Sequence, residues 1–290
     1  MNRAKINRAF FKVHSLSFNH WDRANGANYY ICKKKLAMIK LSVVIITFNE
    51  ERNIRDCLES VKEVADEIIV LDSFSTDKTE EICMEYPVKF SQHVFDGYVE
   101  QKNLALDEAQ YEYVLSMDAD ERLNDRLKNE ILNVKREPKY EAYQFNRLTC
   151  YNGKWIKHSG WYPDRKLRLW KRGLGKWGGR NPHDRFEMIR KVKVKHLPGD
   201  ILHYSFYSIE EHINQTNKFS TIGAQTLFEE GKNVNSLKLY FSPFVKFLRD
   251  YVKNMGFLDG WEGLTICRIN SLGTYMKYAK LRELHRRANL

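Results

Sequence analysis

No stretch of about 18 apolar residues occurs in the 290, so no segment reads as a membrane-crossing helix, and the start lacks the apolar core of a signal peptide. Cysteine is scarce: Cys32, Cys57, Cys83, Cys150 and Cys267 are odd in number and include no CxxC pair. That excludes a CxxC-type zinc site and suits a reducing, cytoplasmic compartment. No internal repeat or low-complexity tract is present, and 43% hydrophobic with 29% charged residues argues against wholesale disorder. Acidic charge is missing from one place in particular. Residues 1–40 hold nine Lys/Arg against the single acid Asp22, so they carry most of the net charge of +11 and the rest of the chain is nearly balanced. The basic character is therefore local, and no specific nucleic-acid partner is expected. Residues 1–40 show no periodicity and are expected to form a poorly ordered basic arm, either attracted to a membrane or preceding a true start at Met38.

What is present centres on residues 113–121, YVLSMDADE. An apolar run ends abruptly on acids, the pattern of a buried strand reaching a surface. In extended chain Asp118 and Asp120 share a face, and two carboxylates at a strand end suit a hard divalent cation, which in turn neutralises a departing diphosphate. An isolated DxD is equally a solvated acidic turn. The context is an alternation: strand 41–48 (LSVVIITF), a helix with apolar Ile54, Cys57, Leu58 and Val61 on one face, and strand 67–71 ending on Asp72. Helix 78–86, strand 88–91, helix 97–109 and the strand into DADE follow. This predicts an α/β protein with a parallel doubly wound sheet whose ligand crevice lies beyond the strand C-termini. Further on come a helix over 123–136, strands near 140–147, 167–170 and 192–197, and a Gly- and Trp-rich stretch over 150–182. Helices over 209–230, 237–254 and 260–287 complete the chain.

With these motifs in this order, the chain resembles family 2 inverting glycosyltransferases of the GT-A fold over about residues 41–204. The segments QKN (101–103), DADE (118–121), GWYPDRKLRLW (160–170) and NPHDRF (181–186) are most similar to the lipopolysaccharide-core β-glucosyltransferase-like subgroup. The resemblance implies a mostly parallel GT-A catalytic domain over 41–207 and a helical extension over 208–290. It implies a UDP-sugar donor carrying glucose or another hexose, a saccharide or lipid-linked acceptor, and Mg2+ or Mn2+ as cofactor. Thr47, Asn49 and Glu50 would line the nucleotide pocket, and Asp72 would accept from uracil or ribose, whose N–H and O–H groups are donors. Lys102 and Arg168 would contact the diphosphate or donor sugar, Asp118 the ribose or a metal-bound water. Asp120 would hold the metal, with His183 as a second ligand, and Asp184 would be the general base, with Asp164 its competitor. The tryptophans of residues 155–177 would either face a sugar ring or fill the core.

In the tail, Phe241, Phe244, Val245, Leu248, Val252 and Met255 form an apolar stripe flanked by Lys246, Arg249 and Lys253. Leu272, Tyr275, Met276 and Ala279 form a second. Basic amphipathic helices lie on anionic bilayers, so peripheral contact at the inner face of the cytoplasmic membrane is expected; mutual packing of the stripes is the alternative. Two other functions were weighed. A sugar-phosphate nucleotidyltransferase needs a Gly-rich phosphate loop after the first strand, and TFNEERN has no glycine. A basic nucleic-acid-binding protein would rest on the arm and the aromatics.

Overall fold

The structure, a computed structural model, describes residues 38–180 and 183–288, and the side chains of all of these except Arg180 and His183. The basic arm up to residue 37 and the ligand role of His183 thus fall outside the described residues.

β1 (Leu41–Thr47) alternates its side chains between two cores. Val43 and Ile45 enter one, Val44 the other, as a strand covered on both faces requires. It pairs in parallel with β2 (Glu67–Asp72) and β4 (Tyr113–Asp118), and β2 pairs in parallel with β3 (Lys89–Gln92). Three helices connect them: α1 (Ile54–Val61), α2 (Thr79–Cys83) and α3 (Tyr98–Asp107). Residues of α1, α2 and α4 (Asp125–Arg136) pack into the core on one face of the sheet, those of α3 into the core on the other.

After β4 the sheet becomes mixed. Its other strands are β5 (Glu121–Leu123), β6 (Ala142–Tyr151), β7 (Lys154–Trp155), β8 (Asp164–Lys171) and β11 (Val194–Phe206). The order is β3-β2-β1-β4-β8-β6-β11-β5, with β7 folded back on β6. β8 runs antiparallel to β4 and β6, β11 is parallel to β6, and β5 is an antiparallel edge. The short β5 takes Leu123, the first residue of the helix expected over 123–136. Asn124 accepts a hydrogen bond from the Leu127 N–H (2.9 Å), so the helix starts after this cap. A separate antiparallel pair, β9 (Gly175–Arg180) and β10 (His183–Met188), packs through Trp177 and Phe186 onto Trp170 of β8, with the Trp170 and Phe186 rings stacked at 3.8 Å. Trp170 and Trp177 are therefore core residues, not sugar platforms.

The tail consists of α5 (Ile209–Glu229), α6 (Ser236–Leu248), a π-helical turn (Arg249–Lys253), a 3-10 turn (Gly256–Asp259) and α7 (Gly260–Ala288). The single helix expected over 237–254 changes its winding at Arg249. The tail is fastened at Asp259, which is buried and accepts from the backbone N–H groups of Lys157 (3.2 Å) and His158 (2.9 Å) and from Ser159 Oγ (3.2 Å). Gly160 lies against the same junction at φ +76°, where a Cβ would meet Asn254 Nδ2 at 2.7 Å.

His212 of α5 sits among Tyr151, Trp161 and Phe206. Burial pushes its imidazole down to about 4. A histidine held neutral in the fold and free to protonate when unfolded stabilises fully above about pH 6.5 and loses this contribution as pH falls towards 4, by about 3 kcal/mol in all. Denaturant melts at pH 7 and pH 4.5 should show that His212→Gln removes that part of the acid destabilisation. An identical pH slope in parent and variant would refute it.

Candidate active site

Because β1, β2 and β4 run parallel, their C-terminal residues gather at one edge: Thr47 is in register with Asp72, and Ile46 with Asp118. At the β1–β2 end the two following loops are stitched together. Asn49, at φ +53°, donates its backbone N–H to Ser75 Oγ (2.8 Å) and accepts from the Thr76 N–H (2.8 Å). Asp72 is fully buried, and its carboxylate accepts from Ser75 N–H (2.8 Å), Ser75 Oγ (2.5 Å) and Gln92 Nε2 (3.2 Å). A base or ribose donor would reach this carboxylate only in exchange for one of those partners. Thr47 Oγ1 is buried and has no hydrogen-bond partner among the described residues.

At the β4 end lies a buried charge cluster. Lys102, projecting from α3, places Nζ 3.0 Å from Asp118 Oδ1 and 2.9 Å from Asp184 Oδ2, over the Trp177 ring at 4.6 Å. Arg168, from β8, donates through Nη2 to Asp118 Oδ2 (2.7 Å) and Glu121 Oε1 (2.8 Å). Burial alone would raise the Asp118 carboxyl, but Arg168 and Lys102 outweigh it and hold it well below the usual carboxylate range. Glu121 is wholly buried and accepts the Asp118 N–H (3.0 Å), fixing the turn. Arg168 is 3% exposed, yet its Nε and Nη1 have no acceptor among the described residues. Buried guanidinium donors left open in this way are suited to an incoming anion.

Asp120 faces elsewhere. Its Oδ2 lies 3.1 Å from His203 Nε2 of β11, in an open cleft of about 340 Å3 also lined by Glu50, Asn53, Tyr204 and Tyr207. Burial, then the charge of Asp120, pushes the Glu50 carboxyl up to about 7. Uncompensated negative charge at this point is what a cation would relieve. Among the described residues no three His, Cys, Asp or Glu side chains are grouped to hold an ion unaided. The pair Asp120 and His203 still fits a divalent ion of the Mg2+ or Mn2+ type, which takes one or two protein ligands and completes its shell with phosphate oxygens and water.

Residues 42–213 match the model of the glycosyl transferase family 2. The chain belongs to glycosyl transferase family 2. The transferase is 30% identical over 264 residues to the lipopolysaccharide core biosynthesis glycosyltransferase LpsC of Rhizobium meliloti, covering 85% of this chain and 93% of that one. It is 32% identical over 257 residues to a glycosyltransferase of Rickettsia typhi, covering 85% and 88%. Among solved structures, S. aureus TarS in complex with UDP superposes with a TM-score of 0.44 at 16% identity, covering 86% of this chain and 92% of that one. At that TM-score the likeness assigns no residue a role.

The family 2 transferase, with its GT-A sheet, brings Lys102, Asp118, Arg168 and Asp184 into one cluster and puts Glu50 and Asp120 in the adjoining cleft. Asp164 stands apart from Lys102, paired with Arg147 (2.9 Å) and Lys166 (3.1 Å). Sequence reasoning missed His203; it gave Glu121 a flanking or orienting place beside Asp118 without its partner Arg168. The signal for His203 was a histidine two positions from the buried Ile201, and so on the same face of the strand.

Proposed function

We propose that this transferase moves a hexose, with inversion, from a UDP-sugar to a saccharide or lipid-linked acceptor in lipopolysaccharide-type envelope synthesis, at the inner face of the cytoplasmic membrane. The observation that carries the reading is Asp120, which lines the open cleft with Oδ2 3.1 Å from His203 Nε2 and stands two residues from Asp118, held by the buried cations Lys102 and Arg168. The likeness to a lipopolysaccharide core transferase supports the acceptor class. Thr47, Asn49, Glu50 and Asp72 hold the nucleoside side, Asp118 the ribose, and Lys102 and Arg168 the diphosphate. Asp120 and His203 would hold Mg2+ or Mn2+, which supplies charge neutralisation to the leaving diphosphate.

The acceptor oxygen bonds to the anomeric carbon as the bond from that carbon to the diphosphate oxygen breaks on the opposite face, and the acceptor proton passes to Asp184. Lys102 lies about equally close to Asp118 and Asp184, at 3.0 and 2.9 Å. A diphosphate competing for its ammonium would free the Asp184 carboxylate from this ion pair, so donor binding would leave it open to the acceptor hydroxyl. The family assignment supports sugar transfer over the nucleotidyltransferase reading.

A screen of nucleotide-sugars for slow Mn2+-dependent donor hydrolysis, followed by NMR of the product anomer, tests this function. UDP-hexose turnover with inverted configuration is expected, whereas a retained configuration or a preference for non-uridine donors would overturn it. Asp72→Ala should weaken UDP binding by about 1.5–3 kcal/mol, the worth of a charged hydrogen bond. Ser75→Ala, read in the same calorimetry, separates direct contact from loop support. Equal UDP affinity in Asp72→Ala and the parent removes Asp72 from the site.

A further inference from the structure

Of the 23 large hydrophobic residues exposed among the described residues, 13 lie between Leu237 and Tyr275. On α6, Leu237, Tyr240, Phe241, Phe244, Val245 and Leu248 recur every three or four residues and so form one stripe. Leu239, off that stripe, is the α6 residue buried in the cluster shared with α5 and α7. The helix thus turns its larger apolar face to solvent, the reverse of a surface helix in a globular protein. Val252, Met255, Phe257, Leu258 and Trp261 extend the exposed apolar surface through the two turns into α7, each about half exposed. The mutual packing of stripes considered from the sequence accounts for Ala279 and Leu281, not for these.

Charge shows what this surface meets. The acids between Lys232 and Arg282 are Asp250, Asp259 and Glu262, and all three are buried and paired inward: Asp250 with Lys246 and Arg249, Asp259 with the 157–159 segment, Glu262 with Lys154. The exposed charge along this stretch is therefore positive throughout. A groove of about 430 Å3 beside the stripe is lined by Lys246, Arg249 and Lys277 together with Phe241 and Val245. Apolar side chains ringed by cations with no exposed acid match a bilayer that offers acyl chains beneath anionic headgroups. They oppose a second copy, which would bring like charges together with nothing to answer them. Among the described residues no helix is long and apolar enough to cross a membrane, so the geometry suits lying on one.

We propose that the face formed by α6, the two turns and the start of α7 docks this transferase onto an anionic bilayer, with Phe244 and Trp261 entering the acyl boundary and Arg249, Lys253 and Lys277 meeting lipid phosphates. This deepens the membrane part of the function proposed above, and its test reads no turnover, so the two can fail separately. The full chain is sedimented with vesicles of phosphatidylcholine and with vesicles in which about a third of the lipid is phosphatidylglycerol. Binding is expected to the second kind, to weaken with salt, and to drop at least about tenfold in Phe244→Glu/Trp261→Glu while the thermal melt and UDP affinity stay at parent values. Brominated lipid should quench parent tryptophan fluorescence and spare most of that quenching in Trp261→Tyr. The proposal is overturned by equal binding of parent and double variant, or by a dimer that the two substitutions split. It is also overturned by a full chain that ignores both kinds of vesicle.

Discussion

Replacing Asp120 with asparagine should lower metal-dependent turnover by about 10²–10³ or more, the scale of losing charge stabilisation at a leaving group. The change preserves shape, and Asp120 is partly exposed at the cleft, so the melt should remain close to that of the parent. The reason for the size of the effect is electrostatic. Asp120 is the carboxylate beside His203, and its charge contributes to the elevated Glu50 carboxyl. Asparagine keeps an oxygen for a cation but removes the full charge, so Mn2+ affinity by calorimetry should fall together with activity. His203→Ala should produce a parallel loss, since it removes the other half of the pair. Parent-level turnover of Asp120→Asn in either Mn2+ or Mg2+ would sink the assignment.

The second large effect is expected at Asp184. An acceptor alcohol is a poor nucleophile unless its proton leaves as the new bond forms, and the carboxylate that takes it must be distinct from those serving the cation. Asp184 meets this condition: it lies on β10, across Lys102 from Asp118, and it is not part of the Asp120 cleft. Asp184→Asn should reduce kcat by about 10²–10⁴, or roughly 3–5 kcal/mol of barrier, while UDP-sugar affinity is kept or tightened, because Lys102 loses a carboxylate that competes with the diphosphate. Asp164 provides the control. Its oxygens are engaged by Arg147 and Lys166, and Arg147 also reaches the buried Glu121, so Asp164→Asn should act on stability before chemistry. A near-parent kcat in Asp184→Asn with a collapse in Asp164→Asn would move the base to Asp164.

The parallel half of the sheet was legible from sequence because its signals are local. The β-branched run of β1, the apolar i, i+3, i+4 spacing of α1 and the acids closing β4 each lie within a dozen residues. The i, i+2 spacing of Asp118 and Asp120 misled, because β4 ends at Asp118: that carboxylate meets Lys102 and Arg168, while Asp120, past the strand end, turns to His203. What stayed hidden depends on distant pairing. β5 is three residues long and exists only because β11 runs alongside it, so helix propensity after residue 123 claimed the segment. His203 gained significance through the same pairing. Trp170 and Trp177 could be sugar platforms or core by composition, and only the β9–β10 pair lying over β8 decides for core. The tail shows a converse lesson. Its periodicity was plain, but periodicity marks an apolar face without saying which way it turns, and α6 turns its face outward.

The edge position of β5 bears on how the protein is made. Its residues follow directly on Asp120, but their strand partners Ile201–His203 are synthesised some 80 residues later. At the usual pace of about 5–20 residues per second, the ribosome needs roughly 4–16 s to cover that interval. During it, a nascent chain has β1 to β4 and both DADE aspartates, yet neither the imidazole beside Asp120 nor the strand that holds the turn. The Asp120–His203 contact is consequently among the last features to be assembled, and an incomplete chain carries the DADE acids without the imidazole that meets them.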